Sequence, residues 1–195
     1  KFADCMKTFR AILQNIPLVV VDTRQEVAEV KTLIDTCREY ITATRLQIDA
    51  KAQEPSRKAE MAALCAHTKL QAPHLSLALT VAMKALHGIS NNQDAGALAR
   101  KLLEMNPQPK TAQQARQVLQ VSDRNPRNEV KLDYDARNPF VICAIDLKPI
   151  FKGNPTVKCS MCGSSFKPSH KGEMCPTCDL ATIGLEGSGI NCVRL

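Results

Sequence analysis

The sequence predicts an α+β protein in two successive parts: an all-α helical solenoid over residues 1–125, then a small all-β module over residues 126–195. Three observations carry this. Apolar residues recur at three- and four-residue steps as far as about Val121, the period of a helix with one buried face. The polar stretch Asp123-Arg124-Asn125-Pro126-Arg127-Asn128 then interrupts the pattern, and alternation replaces it. Finally, the second part holds two Cys-x-x-Cys pairs, Cys159-Ser160-Met161-Cys162 and Cys175-Pro176-Thr177-Cys178.

The first helix is written by Phe2, Cys5, Met6, Phe9, Ile12, Leu13 and Ile16 and ends at Pro17. Leu18-Val19-Val20-Val21 is read as a buried connection rather than a strand, because nothing nearby can pair with it. Thr23 and Glu26 form a capping box, in which Thr23 caps the helix start and Glu26 reaches back to it. The second helix runs through Val27, Val30, Leu33, Ile34, Cys37, Tyr40, Ile41 and Ile48, until Glu54-Pro55-Ser56 breaks it. A third contains Met61, Leu64, Cys65 and Thr68. Pro73, at a favoured first-turn position, opens a fourth, which Gly88 stops. A fifth carries Ala95, Leu98, Ala99, Leu102 and Leu103 and ends before Pro107; a sixth covers about Thr111 to Val121.

Cys5, Phe9 and Pro17 have the spacing of the small–Phe–Pro positions in the second helix of a tetratricopeptide repeat, and Ala95, Ala99 and Pro107 repeat that spacing. The two copies are not a whole number of repeats apart, so the solenoid is expected to be TPR-like but degenerate. Beyond the boundary, Val130, Leu132 and Tyr134 alternate with charges as a half-buried strand. Phe140–Ile145 reads as a buried strand, Leu180–Gly184 as another, and Ile190–Leu195 as a last strand or a frayed end.

The two cysteine pairs are a metal-site pattern. Thiolates three positions apart on a tight turn converge on one ion, and a second such turn completes a tetrahedron. Gly163 and Pro176 suit turns rather than helix. Cys159, Cys162, Cys175 and Cys178 are therefore the expected ligands of one structural Zn2+, and the module is expected to be zinc-ribbon-like. With four protein ligands the site has no open position, so it holds up a fold and performs no chemistry. A redox motif would normally be a single pair. Haem attachment needs a histidine after the second cysteine, where Gly163 and Asp179 stand. His170 and Glu173 have the wrong spacing for a zinc deaminase. Disulfides, or His170 replacing one thiolate, are weaker readings. A module of about 70 residues buries only a thin core, which explains the need for a staple.

The chain has 195 residues, 44% hydrophobic, with 4% aromatics and no Trp, so a packed core is expected and an aromatic stacking platform is not. Its nine cysteines include five scattered ones, Cys5, Cys37, Cys65, Cys143 and Cys192, which suits a reducing compartment. Net charge is +7; residues 1–125 contribute +5 and residues 126–195 contribute +2, with no dense basic run. That distribution describes solvated faces rather than a nucleic-acid footprint. No run of apolar residues approaches a membrane span, and no signal peptide is visible. Lys1 already lies inside a helical pattern, so the chain is expected to be part of a longer one.

Several collinear strings resemble a known family. They are Lys1-Phe2 with Phe9-Arg10-Ala11-Ile12-Leu13, Pro17–Asp22 with Gln25-Glu26, Cys37-Arg38-Glu39-Tyr40-Ile41, Ala99–Glu104, Asn138–Ala144 and Pro149–Gly153. Together they look like the C-terminal domain of the coatomer alpha subunit. That resemblance implies a non-catalytic scaffold of the COPI vesicle coat, which binds the epsilon subunit alongside other coatomer subunits. It implies transport from Golgi to endoplasmic reticulum. It also implies a cytoplasmic location, peripheral on Golgi and vesicle membranes, with membrane contact only through the assembled coat. No catalytic residue is carried over, and no nucleic-acid partner is implied. The zinc is argued from this chain's own four cysteines, because members of the family differ there. The tail after Gly184 departs from the family pattern.

A reading from another class is a zinc-ribbon nucleic-acid-binding module, favoured by Lys158, Lys167 and Lys171 around the cysteine turns. Against it stand the small charge of that module and a single aromatic, Phe166, between the pairs. An enzyme has no residue in its favour: His67, His74 and His87 lie on alanine-rich helices, where a partly exposed or satisfied core histidine is the ordinary outcome.

Overall fold

The computed structural model describes residues 2–186. Six α-helices come first: α1 (Phe2–Asn15), α2 (Arg24–Asp49), α3 (Pro55–Cys65), α4 (Ala72–Gly88), α5 (Asn92–Glu104) and α6 (Pro109–Arg124). Four short strands follow: β1 (Phe140–Ile142), β2 (Pro149–Phe151), β3 (Val157–Lys158) and β4 (Ser165–Phe166). The helical part followed by small antiparallel strands agrees with the fold class read from the sequence. Prolines open α3, α4 and α6 in their first turns, where the missing N–H costs nothing. The capping box forms as expected: the Glu26 carboxylate accepts from the Thr23 N–H at 2.8 Å, and the Glu26 N–H donates to Thr23 Oγ1 at 3.2 Å.

Two compact units result. One joins Lys1–Arg45 to Asn138–Leu195, and the other is Leu46–Arg137. The division expected near residue 125 marks the end of the helices, since α6 ends at Arg124. Compactness partitions the chain elsewhere, because α1 and the first part of α2 share a core with the cysteine-bearing hairpins. Leu13, Ile16, Cys37 and Ile41 pack in one buried cluster with Ile150, Phe166, Ile183 and the four paired cysteines. Phe9 stacks on Tyr40 with ring centroids 5.0 Å apart.

In the Leu46–Arg137 unit each helix from α3 to α6 packs on the next, and α4 also meets α6. Leu64, Leu79, Met83, Leu86 and Leu102 are fully buried there, interleaved with Ala63, Ala82, Ala95, Ala99 and Ala115. The alanines permit close helix approach, and one glycine permits a closer one. A Cβ on Gly96 would lie 2.2 Å from the Ser122 hydroxyl of α6.

Three expectations are corrected. Leu18 and Val20 are 78% and 84% exposed, so the apolar connection after α1 is not buried. The segment from Val130 to Tyr134 is not a strand. The surrounding unit is helical and offers no sheet edge. Instead the fully buried Asn91 side chain takes the place of a neighbouring strand: it accepts from the Val130 N–H at 2.8 Å and donates to the Val130 carbonyl at 2.9 Å. The strand at Phe140 stops at Ile142, where a turn begins. The expectation for Ile190–Leu195 lies outside the described residues.

His67 is a satisfied core histidine, with Nε2 2.8 Å from the Tyr134 hydroxyl. Burial, and secondarily Lys101, lowers its pKa from 6.5 to about 4. The unfolded chain therefore binds more protons than the folded one between these values. Stability is full above about pH 6.5 and is lost as pH falls toward 4. His67→Gln, which keeps a polar partner for Tyr134, is expected to remove roughly 3 kcal/mol of that pH dependence. Thermal melts from pH 7 to 4 check this; an unchanged slope counts against it.

Candidate metal centre

Three hairpins of one design build the site. In the first, β1 and β2 pair antiparallel, with Phe140 opposite Phe151 and Ile142 opposite Pro149. The turn between them is closed by the Cys143 N–H to the Lys148 carbonyl and the Leu147 N–H to the Cys143 carbonyl, both at 2.9 Å. In the second, β3 and β4 pair with Val157 opposite Phe166. The same two bonds recur one repeat later, Cys159 N–H to Ser164 carbonyl and Gly163 N–H to Cys159 carbonyl, both at 3.0 Å. In the third, Met174 pairs with Thr182, and the Asp179 N–H returns to the Cys175 carbonyl at 2.9 Å. The fifth residue of each turn, Leu147, Gly163 and Asp179, has positive φ, at 53°, 71° and 55°. Such a turn aims the first and fourth side chains to one side. The hairpins are joined edge to edge through Cys143 with Ser165 and Cys159 with Ile183.

The second and third turns face each other. Their four cysteines are buried, and their sulfurs all lie within 4.8 Å of one another. Cys159 and Cys178 sulfurs are 3.7 Å apart, and Cys162 and Cys175 sulfurs 3.6 Å. A disulfide would need about 2.05 Å. A tetrahedron of sulfurs about 2.3 Å from a central ion has edges of about 3.8 Å, so the spacing is that of ligands around one metal ion, which these residues could hold. The thiols perturb one another strongly. Cys159 is pulled down by hydrogen bonds from Cys162, Cys175 and Cys178, while Cys162 is pushed up by the same contact with Cys159. Four thiolates cannot coexist there without a cation. Buried hydroxyls complete the surroundings: Ser164 Oγ lies 3.1 Å from the Cys162 sulfur and donates to Thr177 Oγ1 at 3.1 Å.

Arginines from the two helices of this unit hold the turns. Arg10 on α1 donates to the Pro176 carbonyl at 2.7 Å and pairs with Asp179 at 3.1 Å. Arg38 on α2 donates to the Cys162 carbonyl at 3.2 Å, while also pairing with Asp35 and Glu39. Arg45 on α2 donates to the Ala144 carbonyl of the first turn. A guanidinium brings several donors to carbonyls that no strand can satisfy.

The profile of the family described as the C-terminus of the coatomer (COPI) alpha subunit matches residues 1–195. The chain belongs to this family. It is 43% identical over 194 residues to Coatomer subunit alpha-1 of Arabidopsis thaliana, covering 98% of this chain and 16% of that protein. Identity to Coatomer subunit alpha of Dictyostelium discoideum is 38% over 205 residues, covering 100% of this chain and 17% of that one. For Coatomer subunit alpha of Saccharomyces cerevisiae it is 27% over 188 residues, covering 95% and 16%. The chain thus spans about one sixth of the length of the relatives it matches.

In this coatomer alpha domain the four cysteines grouped by their spacing do come together, and His170 is not among them. Its ring instead contacts Asp146 and Glu173, each at 3.0 Å. The three arginines escape sequence reading, since nothing in a helical pattern marks which basic residue points at a carbonyl. Cys143 has a legible signal. Cys143, Cys159 and Cys175 stand sixteen positions apart in succession, the mark of a repeated hairpin, yet the first turn ends in Asp146 where the others have cysteine. Gly163 carries φ +71°, and a Cβ there would meet Arg38 Nη1 at 3.0 Å. Gly163→Ala is expected to cost about 1–2 kcal/mol. Urea unfolding followed by circular dichroism checks this, and a midpoint equal to that of the parent chain would count against the close approach.

Proposed function

We propose that this chain is a non-catalytic scaffold domain of the COPI vesicle coat: the C-terminal domain of a coatomer alpha subunit, which docks the epsilon subunit and so supports transport from Golgi to endoplasmic reticulum. The observation that carries it is the family match over the full stretch 1–195. The domain then acts on the cytoplasmic side of Golgi membranes, reaching them through the assembled coat. No helix among the described residues is long and apolar enough to cross a membrane. Within the domain, Cys159, Cys162, Cys175 and Cys178 hold one structural Zn2+. The sulfur spacing and burial support that reading, and a closed set of four thiolates leaves no position for substrate. The ion's binding free energy, of order 10 kcal/mol, adds to folding.

Co-expression with a coatomer epsilon subunit is expected to yield a stoichiometric complex that survives high salt through size exclusion. Failure to associate, together with oligonucleotide binding that falls steeply with salt, would replace the scaffold reading with the nucleic-acid one.

The double change Cys159→Ser, Cys162→Ser is expected to remove zinc and to unfold the hairpins. Because Leu13, Ile16, Cys37 and Ile41 share the cysteines' core, α1 should loosen with them, while α3 to α6 keep their helical signal. Elemental analysis and a two-step melt read both effects. No zinc in the parent chain and an unaltered melt would refute the site.

A further inference from the structure

We propose that the first turn is a second metal-binding site, in which Cys143, Asp146 and His170 bind a zinc-type divalent ion through one sulfur, one carboxylate oxygen and one imidazole nitrogen. The argument begins with backbone. The turn Cys143-Ala144-Ile145-Asp146 is closed by the same two hydrogen bonds as Cys159–Cys162, with the same positive φ one residue later. That geometry converges the first and fourth side chains on a common point. In the second and third turns those side chains are thiols. In the first they are a buried thiol and a carboxylate.

The third ligand comes from the short 3-10 turn Pro168–His170. Ligand atoms of Cys143, Asp146 and His170 all lie within 4.8 Å of one another, and His170 Nε2 is 3.0 Å from Asp146 Oδ1. The rest of the surroundings has the form of a supporting shell. His170 Nδ1 is 3.0 Å from the Glu173 carboxylate. A carboxylate on one ring nitrogen fixes the tautomer that presents the other to a metal. Lys167 Nζ holds the second oxygen of Asp146 at 2.7 Å, which leaves Oδ1 directed at the histidine. Without an ion, a proton on Nε2 bridges His170 to Asp146. With one, the ion takes that proton's place and the proton leaves to solvent. The cluster lies at the surface side of its hairpin, with His170 and Asp146 side chains 16% and 25% exposed, so an ion can enter, and three protein ligands leave a fourth position for water.

Metal stoichiometry on the full chain tests this independently of the four-thiolate site. After equilibration with zinc and removal of the excess, the parent chain is expected to hold about two equivalents. His170→Ala and the near-isosteric Asp146→Asn should each lower this to about one. With cobalt, the sulfur-to-metal charge-transfer band of the four-thiolate site should persist in His170→Ala while one equivalent is lost. A parent chain with a single equivalent that is untouched by His170→Ala and Asp146→Asn overturns the second site and leaves the first standing. Loss of the four-thiolate band with retention of a His170-dependent equivalent overturns the first alone.

Discussion

The hairpins of this domain depend on satisfying turns that no sheet can satisfy. Strands of two or three residues form too few ladder bonds to hold their own turns, and a turn with positive φ exposes carbonyls on its outer face. Two devices meet the constraint. Sulfurs converge from inside the turns, and the guanidinium groups of Arg10, Arg38 and Arg45 reach carbonyls from outside. Each device fixes what the other needs. Arginines hold the turns at the spacing the sulfurs require, and a shared ion would hold the turns where the arginines can reach them.

This couples the helices to the hairpins in one unit. Leu13 and Ile16 on one side and Phe166 and Ile183 on the other are buried by mutual packing, so neither set forms a core alone. The remaining helices answer to a different rule. α3 to α6 rely on leucines spaced by alanines and on one contact, Gly96 against Ser122, that no larger residue admits.

Much of the fold is legible in the chain, for identifiable reasons. Helix starts at Thr23 and Pro73 are local chemistry, since a cap or a fixed φ acts within one turn. The grouping of Cys159, Cys162, Cys175 and Cys178 follows from the reach of a tight turn. The strand expected at Val130–Tyr134 does not form, because alternation describes a half-buried extended segment without saying what will bond it. Here a single asparagine side chain does so. The apolar run at Leu18–Val20 reads as interior because hydrophobicity alone cannot tell a core from a surface left uncovered.

The sequence by itself determined the helices, their caps, the family and the four sulfurs that belong together, because each is encoded within a few turns of chain or in collinear strings. Only the tertiary structure decided that α1 shares a core with hairpins more than a hundred residues later, that three arginines grip three turns, and that Asp146 and His170 meet beside Cys143. Those contacts join residues far apart in the chain, and their partners are carbonyls, common to every residue, or side chains whose meeting no local spacing records.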